Sequence, residues 1–245
     1  MHGRPEVSIS IVSHGQAALV ADLLADLQQH CATAIEAILT LNIPEDLPFR
    51  PDDFAFPVRV IENSKVQGFG ANHNGAFRHA GADYFCVLNP DIRIERDPFP
   101  ELITVFQDAS IAVAAPMVVS PSGTVEDSAR RFPTPLSIIS KLWSRAPRLD
   151  YQPGSSPAFP DWVAGMFMLF RSAAFREAGG FDERYYLYYE DVDLCWRLRR
   201  ARLQVVQLPS ARVIHAAQRA SHRNLRYLRW HVTSMVRFFL KRLRA

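Results

Sequence analysis

The stretch Tyr84-Phe85-Cys86-Val87-Leu88-Asn89-Pro90-Asp91 decides how the chain is read. A continuous apolar run stopped by the turn dipeptides Asn-Pro and Pro-Asp predicts a strand at Tyr84 to Leu88 that is buried on both faces, the kind found in parallel sheets covered by helices. Ligands of such sheets bind beyond the carboxyl ends of the strands, which is where Asn89 and Asp91 fall. A carboxylate there, with Asn89 beside it, has the chemistry to hold a hard divalent cation that also grips phosphate oxygens. Local sequence alone equally allows a turn that simply ends the strand.

The surrounding segments fit such a sheet. Val7 to Val12 predicts a strand, followed by Gly15 and by Leu19, Leu23, Leu24 and Leu27 at helical spacing. Ile35 to Leu41 and Val58 to Ile61 predict strands on either side of a loop with Pro44, Pro48, Pro51 and Pro57, and Asn72 to Ala80 a helix. Downstream come a helix over Asp97 to Gln107, a strand over Ile111 to Val119 and a long irregular stretch to about Pro160. A strand over Trp162 to Phe170, a short helix over Ala173 to Ala178, a Gly179-Gly180 turn and a helix over Asp191 to Arg200 follow, and two short strands, Val205 to Leu208 and Val213 to His215, close the series. The expected fold class is α/β, a Rossmann-like mixed, mostly parallel sheet flanked by helices, with a C-terminal amphipathic helix.

With 245 residues, 48% of them hydrophobic and 22% charged, the chain can bury one sizeable core, which excludes a disordered protein. Cys31, Cys86 and Cys195 are odd in number and widely spaced, so neither a disulfide framework nor a Cys-x-x-Cys site is expected. The first 13 residues lack a secretory signal, and no run approaches the length of a membrane-spanning helix. The expectation is a cytoplasmic protein, peripheral on the inner face of the plasma membrane. Gly68-Phe69-Gly70 begins like a dinucleotide fingerprint but has His73 where the third glycine belongs, and there is no phosphate loop or nucleophile elbow.

Two further features carry chemistry. Asp182, Glu183, Glu190, Asp191 and Asp193 crowd five carboxylates into 12 residues. Mutual repulsion makes that costly unless some cap a helix, some pair with arginine and one has work to do. His215 closes an apolar strand, where a histidine serves as a ligand or as a satisfied structural residue.

Taken in order, Asn63 to Asn74, Leu88-Asn89-Pro90-Asp91, Trp162 to Leu169, Gly179 to Glu183, Glu190 to Arg197 and His215 closely resemble the family 2 glycosyltransferases of the GT-A fold, and within them the rhamnosyltransferase branch that builds bacterial surface polysaccharides. The likeness spans about Val7 to His222. It implies an inverting, metal-dependent transfer of a sugar, rhamnose from dTDP-rhamnose, to a hydroxyl of a surface-glycan acceptor. By resemblance, Asp191 is the catalytic base, and Asp91 and His215 hold Mg2+ or Mn2+. Ser13, Asn42, Asn63, Gly70, Asn74, Asn89 and Asp91 line the nucleotide sugar, and Trp162, Gly165, Met166 and Glu190 shape the acceptor side. The chain departs from most relatives at His14-Gly15, at Asn42 to Asp46 and at His73. A sugar-nucleotide pyrophosphorylase would need a Gly-rich basic phosphate loop near the amino terminus, which Ser13 to Gln16 does not provide; a non-catalytic assembly partner is the other alternative.

The formal charge of +3 hides an asymmetry: the first 193 residues carry −10, and the remaining 52 hold 13 basic residues and no acid. Residues 1–222 are expected to form the transferase domain and 223–245 a basic amphipathic helix. Its apolar positions are Leu225, Leu228, Val232, Met235, Val236, Phe239 and Leu243, with Arg226, Arg229, Arg237, Lys241 and Arg244 opposite. The helix reads either as an in-plane anchor on an anionic membrane or as an ordinary terminal helix whose apolar stripe covers the domain or a second subunit, the latter making a homodimer. No nucleic-acid motif accompanies the charge. The expected partners are thus a nucleotide-sugar donor, a glycan or lipid-linked glycan acceptor and an anionic membrane.

Overall fold

Strand and helix alternate through the computed structural model, which describes residues 4–138, 149–152, 154–216 and 225–244. The elements are β1 (Val7–Ser13), α1 (Ala17–His30), β2 (Ile35–Leu41), β3 (Val58–Glu62), α2 (Phe69–Phe77), β4 (Tyr84–Leu88), β5 (Ile92–Arg93), α3 (Phe99–Thr104) and β6 (Ile111–Val119). Then come β7 (Ala129–Arg130), β8 (Trp162–Val163), β9 (Phe167–Arg171), α4 (Ser172–Glu177), α5 (Glu190–Arg200), β10 (Gln204–His215) and α6 (Leu225–Leu243). The expected boundary between residues 222 and 223 lies outside the described residues.

Eight strands form one sheet in the order β3-β2-β1-β4-β9-β6-β10-β5. The pairs β3–β2, β2–β1, β1–β4 and β6–β10 are parallel, whereas β9 is antiparallel to both β4 and β6, and β5 to β10. The carboxyl ends of β1, β2, β3, β4, β6 and β10 therefore share one edge. β4 shows why its sequence does not alternate: Cys86 and Leu88 pack with Ile9, Leu23 and Leu102 on the face of α1 and α3, while Phe85 and Val87 pack with Phe175, Val192 and Leu198 on the face of α4 and α5. Every β4 residue after Tyr84 is fully buried. Each large side chain so buried contributes about 1.5–3 kcal/mol relative to exposure.

The structure corrects several sequence expectations. Trp162 to Phe170 is two strands: β8 pairs with β7 in a separate two-stranded sheet, and β9 enters the main sheet after a turn at Ala164-Gly165-Met166. Both halves are buried, so hydrophobicity does not mark the break. Val205 to His215 is the reverse case, one strand with a register shift between Leu208 and Arg212. Pro209 there removes a ladder N–H and bends the strand without ending it. α2 starts three residues before Asn72, and the helix after Asp97 is shortened to α3 plus a 3₁₀ turn at Val105–Gln107.

α6 docks by a face that the sequence reading left open. It docks through Trp230, Ser234, Phe238 and Lys241, with Phe238 fully buried against Tyr189, and Ser234 Oγ donates to the Leu187 carbonyl at 3.0 Å. Of the expected apolar positions Met235 packs against the domain and Phe239 is half-buried, whereas Leu225, Leu228, Val232, Val236 and Leu243 face away from it.

Candidate functional site

The carboxyl edge of the sheet gathers most of the singled-out residues. Ser13 ends β1, buried, and its Oγ accepts the Gln16 N–H at 3.1 Å at the entry to α1. Glu45 accepts the N–H groups of Gly15 and Ala17 at 3.2 and 2.9 Å, so the departure at Asn42 to Asp46 supplies the carboxylate that the positive end of α1 favours. Asn42 and Asn63 follow β2 and β3 and join an amide network: Asn42 Oδ1 accepts from Gln67 N at 2.8 Å and Asn63 Nδ2 at 3.0 Å, and Asn63 Nδ2 also donates to Asn72 Oδ1 at 2.6 Å. Asn72 and Gln67 were not singled out in the sequence. Their partners lie 25 and 9 residues away, a pairing only the fold shows.

α2 is held against the acidic loop. Asn74 Nδ2 donates to the Phe181 carbonyl at 2.9 Å and to Glu183 Oε1 at 3.0 Å, and its Oδ1 accepts the Phe181 N–H at 2.9 Å. A Cβ on Gly70 would lie 2.7 Å from Phe181 Cβ, so only glycine allows this approach. His73 is fully enclosed, bonded to Ser10 Oγ at 2.8 Å, and burial pushes its pKa down to about 3, which keeps it neutral.

Asp91 and His215, 124 residues apart, meet because β5 runs antiparallel to β10, pairing Ile92 with His215. His215 Nε2 lies 3.2 Å from Asp91 Oδ2, and Nδ1 lies 2.7 Å from Glu126 Oε2. Glu126 was not anticipated; it arrives because the chain after β6 folds back, with Glu126 N–H bonded to the Val118 carbonyl. Hydrogen bonds to Asp91 and to Glu126 raise the His215 pKa to about 9 against the opposing effect of burial. Asp91 Oδ1 is buried with no hydrogen-bond partner. An unpartnered carboxylate oxygen beside an imidazole is a donor set that fits Mg2+ or Mn2+. No group of three or more His, Cys, Asp or Glu side chains able to hold a metal is found among the described residues.

The turn between β8 and β9 ties this pair to the acidic cluster. Asn89 N–H donates to the Met166 carbonyl at 3.0 Å, and the adjacent Gly165 N–H donates to Asp191 Oδ2 at 3.0 Å. Asp191 Oδ1 also accepts the Val192 N–H at 2.8 Å in the first turn of α5. Burial raises the carboxyl pKa of both Asp191 and Glu190, for Glu190 well above the usual range and with the Asp191 charge adding to it. Glu190 is 5% exposed and its Oε2 has no partner. Trp162 lies beneath, its Nε1 donating to the Arg131 carbonyl at 2.9 Å and the Arg130 guanidinium 5.2 Å over its ring. Met166 packs against the α1 and α3 side of the core.

The other carboxylates of the cluster are accounted for by pairing. Asp182 meets Arg184 at 2.6 Å and Lys241 at 3.0 Å, and the fully buried Asp193 meets Arg197 at 2.8 Å and Lys241 at 2.6 Å. Tyr188 and Tyr189, just before Asp191, adopt the left-handed region with φ of 69° and 70°. Such a conformation costs on the order of 1–3 kcal/mol per residue and persists where packing imposes it. His231 of α6 packs 5.3 and 5.4 Å from the two tyrosine rings.

Comparison with known proteins gives the family and the fold. The model of "Glycosyl transferase family 2" matches residues 10–176. Rhamnosyltransferase WbbL of Escherichia coli K12 is 31% identical over 96% of this chain and 93% of its own length. An N-acetylglucosaminyl-diphospho-decaprenol L-rhamnosyltransferase of Mycobacterium tuberculosis is 32% identical over 64% of this chain, which spans 58% of that protein. Among solved structures, the mannosyltransferase PcManGT from Pyrobaculum calidifontis, in complex with GDP-Man and Mn2+, superposes with a TM-score of 0.69 at 16% identity, over 99% of this chain and 65% of that one. GalNAc-T7 with UDP, GalNAc and Mn2+ gives 0.67 at 14% identity, over 89% and 45%. At those identities the likeness shows the GT-A fold.

Proposed function

Because the chain belongs to glycosyl transferase family 2 and is a glycosyltransferase, we propose that it moves rhamnose from dTDP-rhamnose to a hydroxyl of a bacterial surface-glycan acceptor, inverting the anomeric centre. The observation that carries this reading is the Ala164-Gly165-Met166 turn, which joins the Asn89–Asp91 strand end to Asp191 by accepting the Asn89 N–H at the Met166 carbonyl and donating the Gly165 N–H to the Asp191 carboxylate. A leaving-group site and a basic carboxylate are thereby held on either side of one short turn. The rhamnose donor is supported by the names of the two bacterial relatives.

In this reading Asp91 Oδ1 and His215 Nε2 would hold Mg2+ or Mn2+, which when bound supplies positive charge against the negative charge developing on the leaving diphosphate. Ser13, Asn42, Asn63, Gly70, Asn74 and Asn89 build the donor side, several of them by fixing the loops that line it. Asp191 takes the proton from the acceptor hydroxyl as it attacks the sugar from the face opposite the diphosphate. Its raised pKa brings it closer to the working pH, where a general base is most effective. Trp162, Gly165, Met166 and Glu190 shape the acceptor side. The partners are the donor, a glycan or lipid-linked glycan acceptor, and an anionic membrane surface that presents the latter. Among the described residues no helix is long and apolar enough to cross a membrane.

A thermal-shift screen of nucleotide sugars with and without Mn2+, followed by transfer assays, tests the proposal. Metal-dependent stabilisation by dTDP-rhamnose is expected. Stabilisation by a UDP- or GDP-sugar instead reassigns the donor, and none by any nucleotide sugar overturns the reading.

A further inference from the structure

Six of the nine large hydrophobic side chains exposed among the described residues lie on α6: Leu225, Leu228, Val232, Val236, Leu240 and Leu243, each 43–84% exposed. Their spacing of three or four residues makes one continuous solvent-facing stripe. The opposite stripe, Trp230, Ser234, Phe238 and Lys241, is the one that grips the domain. A terminal helix stabilised only by its own domain would be expected to bury the apolar stripe. Here the domain is gripped by Phe238, Met235 and Trp230 together with Ser234 and Lys241, and the stripe of six aliphatic side chains is left facing solvent.

Charge selects the occupant. α6 carries Arg226, Arg229, Arg237, Lys241, Arg242 and Arg244 and no acid. Lys241 is offset by Asp182 and Asp193 of the domain, but a second copy docked stripe to stripe would bring the arginines of two helices together with no carboxylate on either helix, which Coulomb repulsion opposes. Along the flank where stripe meets domain runs an open cleft of about 560 Å³, lined by Arg184, Val236, Arg237, Leu240, Lys241 and Arg244. Arg184 and Lys241 are engaged with Asp182 and Asp193; of the remaining lining, Val236 and Leu240 with Arg237 and Arg244 join apolar and cationic groups as a lipid tail and an anionic headgroup would require.

We propose that the outward face of α6 lies in the plane of an anionic phospholipid surface, with the cationic cleft beside it receiving lipid headgroups. This partner deepens the functional reading above and rests on it for its purpose. α6 also packs on the left-handed Tyr188-Tyr189 turn that leads into Asp191, so a chain seated through α6 holds its acceptor side next to the membrane. A lipid-linked acceptor would then be met in two dimensions.

The test is co-sedimentation of the full chain with vesicles of phosphatidylcholine, with or without one third phosphatidylglycerol, at low and high salt and without any nucleotide sugar. Binding is expected to require the anionic lipid and to weaken at high salt. The combination Leu225→Gln, Val232→Gln, Val236→Gln and Leu243→Gln, all on the exposed face, should abolish binding while thermal stabilisation by the donor stays unchanged. The pair Arg229→Glu and Arg244→Glu should weaken binding at least about tenfold. Failure of the wild type to bind, or equal binding by the glutamine variant, overturns the proposal. So does a dimer in analytical ultracentrifugation that the glutamine variant converts to monomer, since the face would then join copies. Vesicle binding without recognition of any nucleotide sugar would overturn the functional reading alone.

Discussion

Gly165 donates its backbone N–H to Asp191 Oδ2 at 3.0 Å, and the position has no room for a side chain: a Cβ there would lie 2.9 Å from Phe69 Cζ and 3.8 Å from the same Asp191 oxygen. The turn that orients Asp191 thus depends on a glycine for close approach. Gly165→Ala should push Phe69 or the turn by a fraction of an ångström and misdirect the carboxylate. A loss in kcat of about 10²-fold is expected, with a native circular dichroism spectrum. Unaltered kcat would show that Asp191 does not need this donor.

Asp191→Asn keeps the size and, through its one remaining oxygen, one of the two acceptor contacts, but removes the basic carboxylate. Transfer should fall about 10²- to 10⁴-fold. Donor affinity, read by calorimetry in the presence of Mn2+, should stay nearly the same. Loss of donor binding would place Asp191 on the donor side.

Glu126 bonds His215 Nδ1 at 2.7 Å and so fixes which ring nitrogen faces Asp91. Removing the orienting carboxylate of a metal-binding histidine typically weakens metal affinity about 10- to 100-fold. Glu126→Ala should show that loss for Mn2+ in electron paramagnetic resonance titrations with a nucleoside diphosphate, before any turnover is measured.

Glu190 yields a pH prediction. Burial, reinforced by Asp191, raises its folded-state pKa well above the ordinary glutamate value. The folded chain therefore holds this proton at a pH where the unfolded chain has released it, and stability falls as pH rises through that window. Glu190→Gln cannot lose the proton. Its melting temperature should match that of the wild type near pH 4 and exceed it at pH 8; equal values at both would mean that the carboxyl ionises without cost.

Lys241 meets Asp193 at 2.6 Å and Asp182 at 3.0 Å, joining α6 to the acidic cluster. Asp193 is fully buried, but Arg197 remains as a second partner. Lys241→Met should therefore cost about 1–3 kcal/mol in urea unfolding, less than stripping a buried charge of every partner.

The candidate site was partly legible because chemistry concentrates at strand ends. Asp91 and His215 were recognisable as residue types at the ends of apolar runs, and the crowding of Asp182 to Asp193 announced that some carboxylates were paired. Which ones were paired could not be read: Lys241 lies 48 residues from Asp193 and 59 from Asp182. Glu126 carried no local signal at all, since an acid in a Ser/Pro/Gly-rich loop looks like any solvated turn residue.

What the sequence determined alone is the alternation of β-runs and helical spacings, and hence a covered sheet with Asn89 and Asp91 at its carboxyl edge. Those patterns follow from the side-chain periods of strand and helix, which are local. The tertiary structure decided whatever depended on partners: the break at Gly165 inside one apolar run, the continuity of β10 through Pro209, and above all the face by which α6 docks. An amphipathic pattern states that a helix has two faces. Which one meets the domain depends on partners remote in sequence, which a local pattern does not encode: Phe238 buries against Tyr189, Lys241 pairs with Asp193 and Asp182, and Ser234 bonds the Leu187 carbonyl.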